Sequence, residues 1–97
     1  MLDSDGAMDV GVEISLYPLQ QEYLAPIRAF IERLHQAAGV RVVTTSLSTQ
    51  LFGDYAVVMS LLTRELPTAL SGQGESGAAP RVVLLKLVGP LAEAPAG

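Results

Sequence analysis

The stretch Val-Arg-Val-Val-Thr-Thr-Ser-Leu-Ser-Thr-Gln-Leu-Phe-Gly-Asp (residues 40–54) decides how this chain folds. Its first half is rich in β-branched residues, which suit a pleated strand, and Leu51-Phe52 restore an apolar character before Gly53. Between them, residues 44–50 hold six hydroxyl or amide side chains around Leu47. The pattern predicts two strands, residues 40–47 and 48–53, joined by a turn or bulge near Ser46-Leu47-Ser48, although no Asn-Gly or Asp-Gly turn is present. The polar centre has two readings. Its hydroxyls can satisfy their own backbone, or they can line a small-molecule pocket beside the core. The residues alone favour the first.

Upstream, Val10, Val12, Ile14 and Leu16 alternate with Gly11, Glu13, Ser15 and Tyr17. This is the period-two pattern of a strand with one face in a core, and Pro18 closes it because proline cannot donate to a ladder. Between residues 20 and 38 the period lengthens. Tyr23 or Leu24, then Ile27, Ile31, Leu34 and Ala38, form one helical stripe. Pro26 is tolerable only in a first turn, so the helix should begin near residues 21–23, with Gly39 as its C-cap. Downstream, Asp54 is placed to cap a second helix, whose stripe is Tyr55, Val58, Met59, Leu62, Leu66 and Leu70. Pro67 is expected to end that helix or kink it after Leu66. Residues 71–80 read as a flexible connection, and residues 81–88 as an apolar strand carrying Lys86.

The order is β-α-β-β-α-β. With right-handed crossovers it resolves as an α+β, ferredoxin-like two-layer sandwich with an antiparallel sheet. Residues 10–90 form the single domain, with residues 1–9 and 91–97 expected to be flexible ends. The last strand is apolar on both faces, as for a strand buried from both sides. The open sheet face is therefore expected to be covered in a homodimer or homotetramer.

Only six Lys and Arg residues and a net charge of −4 argue against nucleic-acid partners, which demand clustered cations. The absence of cysteine excludes disulfides and thiolate metal sites. No apolar run approaches the roughly 18 residues that span a bilayer, and the acidic first nine residues do not form a secretory signal. The chain reads as cytoplasmic, without a membrane partner and without a metal or other cofactor.

The central first and third strands should bring Glu13, Ser15 and Tyr17 near Ser48, Thr49 and Gln50. Together these supply a carboxylate, hydroxyls, an amide and an aromatic ring, a set able to read a polar heteroaromatic ring. The alternative is a polar network within an oligomer interface. Glu13 in mid-strand needs water, a cation or a ligand, and Arg41 and Lys86 are its candidate ion-pair partners. His35, the only histidine, has no second ligand for a metal and no spacing for a triad, so it reads as a solvated or rim residue. Residues 72–77 spell a formal G-x-G-x-x-G, but it does not join a strand to a helix and therefore reads as a linker. Glu75 within it could fold over a ligand.

Three segments taken together carry a family resemblance. They are Ser-Leu-Tyr-Pro-Leu (15–19), the helix containing Tyr-Leu-Ala-Pro-Ile (23–27), and Val-Thr-Thr-Ser-Leu-Ser-Thr-Gln-Leu-Phe-Gly (43–53). The sequence resembles the YkoF-like family of thiamine- and hydroxymethylpyrimidine-binding proteins from about Val12 to Leu66, and more loosely through the last strand. That resemblance implies a ferredoxin-like fold, binding of thiamine or its hydroxymethylpyrimidine precursor, and no catalysis. It also implies Ser15, Tyr17, Thr45, Ser48, Thr49 and Gln50 as pocket residues, with Glu13 or Asp54 answering the thiazolium charge. Members named after YkoF carry two repeats per chain. This chain carries one, so self-association would supply the second. The competing expectation is an oligomeric interaction or regulatory module of the same fold with no thiamine ligand.

Overall fold

The structure, a computed structural model, describes residues 8–71 and 80–92. Strand β1 spans Asp9–Pro18, helix α1 Leu24–His35, β2 Val40–Thr44, β3 Thr49–Asp54, helix α2 Tyr55–Ser71 and β4 Arg81–Val88. The sheet order is β2-β3-β1-β4 with every pairing antiparallel. This is the ferredoxin-like α+β sandwich that the alternating periods predict. The expected linker with its G-x-G-x-x-G at 72–77, and most of both expected flexible ends, lie outside the described residues.

Period-two alternation divides β1 between the two faces. Val10, Val12, Ile14 and Leu16 turn to the helices and are buried with Leu51, Phe30, Leu34, Val58, Leu61, Leu62 and Ala69. Burying apolar area at about 25 cal/mol per Å² is the main stabilising contribution to such a layer. Gly11, Glu13, Ser15 and Tyr17 occupy the other face. Opposite them on β4 stand Val88, Lys86, Leu84 and Val82, and among the described residues no element packs over this surface. Leu84 is 56% exposed and Val88 59%.

Asp54 caps α2 as expected: its Oδ2 accepts from the backbone N–H of Ala56 at 3.1 Å and of Val57 at 3.4 Å. Between the helices, Arg33 Nε donates to Glu65 Oε1 at 2.7 Å, and Arg64 Nε reaches Oε2 of the same carboxylate at 3.1 Å. Arg81, at the start of β4, donates to the Ala69 carbonyl at 3.1 Å and to Gln20 Oε1 at 3.3 Å, tying the end of α2 to the connection after β1.

Three boundaries differ from the sequence reading. Helix α1 ends at His35 with Gln36 as its C-cap, so Gly39 is not the cap. Its φ of +81° instead serves the turn into β2, a conformation cheap only for glycine. Pro67 does not end α2, which continues to Ser71. Both Pro67 and Thr63 are exposed, so the Thr63 carbonyl that loses its partner lies on the solvent side of the helix, while buried Ala69 anchors the last turn. Strand β2 stops at Thr44, because residues 45–48 form the turn itself.

Candidate functional site

Residues 45–48 close the β2–β3 hairpin. Thr45 N donates to the Ser48 carbonyl at 2.9 Å. The Thr45 hydroxyl accepts from Leu47 N at 3.1 Å and from Ser48 N at 3.2 Å, and itself lies 3.2 Å from the Ser48 carbonyl oxygen. It thereby folds the turn in the way Ser and Thr hydroxyls serve local backbone. The self-satisfying reading of the polar stretch is correct for Thr45.

The turn has a consequence for β1. The β1–β3 ladder stops at Ile14 opposite Thr49, while the β1–β4 ladder continues to Pro18 opposite Arg81. Ser15, Leu16 and Tyr17 therefore have no β3 partner. Alternate residues of an antiparallel strand direct both backbone groups to one neighbour, so at least one of these three aims its N–H and C=O into the gap. The gap opens into a cavity of about 210 Å³ between β1, the turn and α1. Ile14, Leu16, Ile27, Phe30 and Ile31 give it an apolar floor, and Thr45, Ser46, Ser48 and Thr49 line it from the turn with Leu47. Ser15 and Tyr17 border it along the β1 edge, their side chains alternating to the open sheet face. No charged side chain lines it among the described residues.

Seven candidate residues were expected on one surface, and the structure divides them. Glu13 pairs with Gln50, and Ile14 with Thr49. Consecutive strand residues face opposite ways, so Gln50 joins Glu13 on the open sheet face while Thr49 turns to the helices. Ser15, Tyr17, Thr45, Ser48 and Thr49 line the cavity. Glu13 and Gln50 instead border a separate, shallower hollow with Gly11, Phe52, Lys86 and Val88. That hollow exists because Gly11 lacks a Cβ: one placed there would meet the Phe52 ring at 3.2 Å. Asp54 is at neither place. It lies at the far end of β3, about 16 Å from Thr49 at roughly 3.3 Å per residue, committed to its helix cap.

Hydrogen bonding separates engaged from available groups. Ser48 Oγ donates to Glu13 Oε2 at 3.0 Å, and Lys86 Nζ lies 3.4 Å from Oε1 of that carboxylate. Lys86, not Arg41, is thus the cation for Glu13, because the two stand opposite one another in the β1–β4 register. His35 Nε2 meets Thr44 Oγ1 at 3.0 Å, and Thr44 Oγ1 meets Thr49 Oγ1 at 3.2 Å. Among the described residues the hydroxyls of Ser15, Tyr17 and Ser46 make no hydrogen bond, and of these Ser46 belongs to the turn that lines the cavity. Ser46, the unpaired edge of residues 15–17 and the floor from α1 were missed by sequence reasoning. The α1 stripe was visible as apolar, but nothing in its spacing says that Ile27 and Ile31 border a cavity.

Among the described residues no group of three or more His, Cys, Asp or Glu is arranged to hold a metal, and no helix is long and apolar enough to cross a membrane.

The model of the YKOF-related family matches residues 9–70 of the chain. The fold recurs in solved structures. A protein from Streptococcus pneumoniae is 28% identical with a TM-score of 0.71, covering 84% of this chain and 88% of that one. A candidate thiamine biosynthesis/salvage protein from Thermotoga maritima is 17% identical with a TM-score of 0.67, covering 81% of each chain. A hypothetical protein from Methanocaldococcus jannascii is 20% identical with a TM-score of 0.68, covering 89% of this chain and 84% of that one. Among curated proteins, none matches.

Proposed function

This chain belongs to the YKOF-related family, and from that premise we propose that it binds the aminopyrimidine of thiamine or of hydroxymethylpyrimidine, without catalysis, in vitamin salvage, sequestration or delivery. The observation that carries the reading is the unpaired edge of Ser15–Leu16–Tyr17 facing a hydroxyl-lined turn over an apolar floor. An aminopyrimidine presents adjacent ring acceptors and an exocyclic donor in one plane. The backbone edge and the free hydroxyl of Ser46 match such an edge, and the floor takes its ring faces and methyl group. The name of the Thermotoga maritima relative, a candidate for thiamine biosynthesis or salvage, points the same way.

Size and charge refine the reading. Pockets for drug-sized ligands run to roughly 300–1,000 Å³, so a cavity of about 210 Å³ takes one ring and leaves a thiazolium outside. The uncharged lining suits the neutral pyrimidine, and Tyr17, half exposed at the rim, can offer its ring to an emerging cation. A micromolar site needs about 8 kcal/mol, and each hydrogen bond contributes only about 0.5–1.5 kcal/mol net. Ring burial must supply much of the remainder.

The open face supports a second element of the proposal, self-association into a homodimer or homotetramer. Tyr17, Val82, Leu84 and Val88 expose apolar side chains on one sheet face, and contiguous patches of this kind mark interaction surfaces. A chain acting only as an oligomeric interaction or regulatory module would use the same face and leave the cavity idle. Calorimetric titration of the assembled protein with thiamine and with hydroxymethylpyrimidine decides between the two. Heat and thermal stabilisation with either ligand are expected, and silence with both would leave the interaction module standing.

A further inference from the structure

We propose that His35 and Thr44 determine the hydrogen-bonding polarity of the cavity, by setting whether Thr49 presents a donor or an acceptor to its occupant. This rests on the cavity being the ligand site. The contacts form a chain: His35 Nε2 to Thr44 Oγ1 at 3.0 Å, then Thr44 Oγ1 to Thr49 Oγ1 at 3.2 Å. One end is exposed, at the last turn of α1. The other is Thr49, a residue only 4% exposed that lines the cavity.

Each hydroxyl has one proton, so the direction of the chain is set at its end. A cationic imidazole can only donate. Thr44 then accepts from His35 and gives its own proton to Thr49, whose proton is left to point at the ligand. A neutral imidazole protonated on Nδ1 accepts from Thr44 instead. Thr44 in turn accepts from Thr49, which offers the ligand only a lone pair. The neutral ring can adopt either tautomer, so it allows both polarities, whereas the cation removes the acceptor at the end of the chain and shifts the balance toward the donor. Imidazole is the side chain whose charge changes near neutral pH, so the occupant's preferred edge becomes pH-dependent through residues that never touch it.

Among the described residues few other charges stand on the elements beside His35. On its own helix stand Glu32, Arg28 and Arg33, the last held by Glu65 of α2 with Arg64 beside it. The helix-facing residues of the neighbouring strands, Val40, Val42 and Thr44 on β2 and Thr49, Leu51 and Gly53 on β3, carry no titratable group.

Two measurements test the proposal. The first titrates wild type, His35→Gln and Thr44→Val with hydroxymethylpyrimidine across the histidine range. The probe's own protonation is common to all three and cancels in the ratios. The wild-type to His35→Gln affinity ratio is expected to change about threefold or more with pH, corresponding to one redirected hydrogen bond, and Thr44→Val is expected to lose that change. A ratio that stays flat, or the same pH response in Thr44→Val, overturns the proposal. The second measurement needs no ligand. As the only histidine, His35 can be followed alone by NMR, and Thr49→Val is expected to change the tautomer balance that its ring nitrogen shifts report at fixed pH, through Thr44. Unchanged ring nitrogen shifts in a folded Thr49→Val protein also overturn it. If the probe fails to bind at all, the ligand assignment falls, and the ring nitrogen shifts still decide the relay.

Discussion

Ser48, in the turn that rims the cavity, donates a 3.0 Å hydrogen bond to Glu13, a carboxylate of the opposite sheet face that Lys86 holds by its other oxygen. One hydroxyl therefore joins the two sides of the sheet, and each side can be probed through it. Ser48→Ala is expected to weaken hydroxymethylpyrimidine binding about fivefold, the loss of one hydrogen bond of about 1 kcal/mol. Stability should change by less than about 1 kcal/mol, because half-exposed ion-pair networks contribute little. Calorimetry read beside urea denaturation checks both halves.

The open face yields a prediction about mass. Leu84 is exposed opposite Ser15, at the middle of the apolar surface. Wild type is expected to sediment as more than one chain at micromolar concentration, and Leu84→Glu as a single folded chain. A wild-type mass of one chain would remove the assembly from the proposal while leaving the cavity intact.

Capping gives a local measure of stability. Asp54→Ala removes the acceptor for two backbone donors of α2 and is expected to cost about 1 kcal/mol. Asp54→Asn, which retains an acceptor, should recover most of it in the same denaturant titration.

The ion-paired carboxylate between the helices predicts a pH dependence. Burial raises the pKa of Glu65, but hydrogen bonds and charges from Arg33 and Arg64 outweigh it, and the net result lies below the ordinary 4.5. A carboxylate depressed by folding contributes stability that is fully present above its unfolded pKa and is lost as pH falls through the folded value. Glu65→Gln is therefore expected to be less stable than wild type at neutral pH by about 1–2 kcal/mol. The gap should close as pH falls below about 4.5, and thermal melts from pH 7 to pH 3 read it directly.

The elements were legible in the sequence because each period has one physical cause. Val10 to Leu16 must alternate to bury one side of a sheet, and Ile27, Ile31 and Leu34 must recur at three and four to bury one side of a helix. The candidate residues were legible by type but not by direction. Ser48, Thr49 and Gln50 look equivalent in a row of polar letters. Register alone sends Gln50 to the open face with Glu13 and Thr49 to the helices with Ile14. The gap beside Ser15–Tyr17 was beyond reach, because it depends on β3 being shorter than β4 at the same end of β1. The expectation that Pro67 could end α2 failed because the rule for helix interiors carries less weight at an exposed position near the helix end.

The unequal ladders on β1 also set what can be exchanged within this architecture. Every described residue that lines the cavity falls between Ile14 and Thr49, and nothing from α2 or β4 lines it. The first half of the chain therefore shapes the cavity, while the second half pairs with β1 and closes the core. Changes in α2 or β4 that preserve the core and that pairing are expected to alter assembly or stability while the cavity keeps its shape, Lys86 excepted, since it reaches the turn through Glu13 and Ser48.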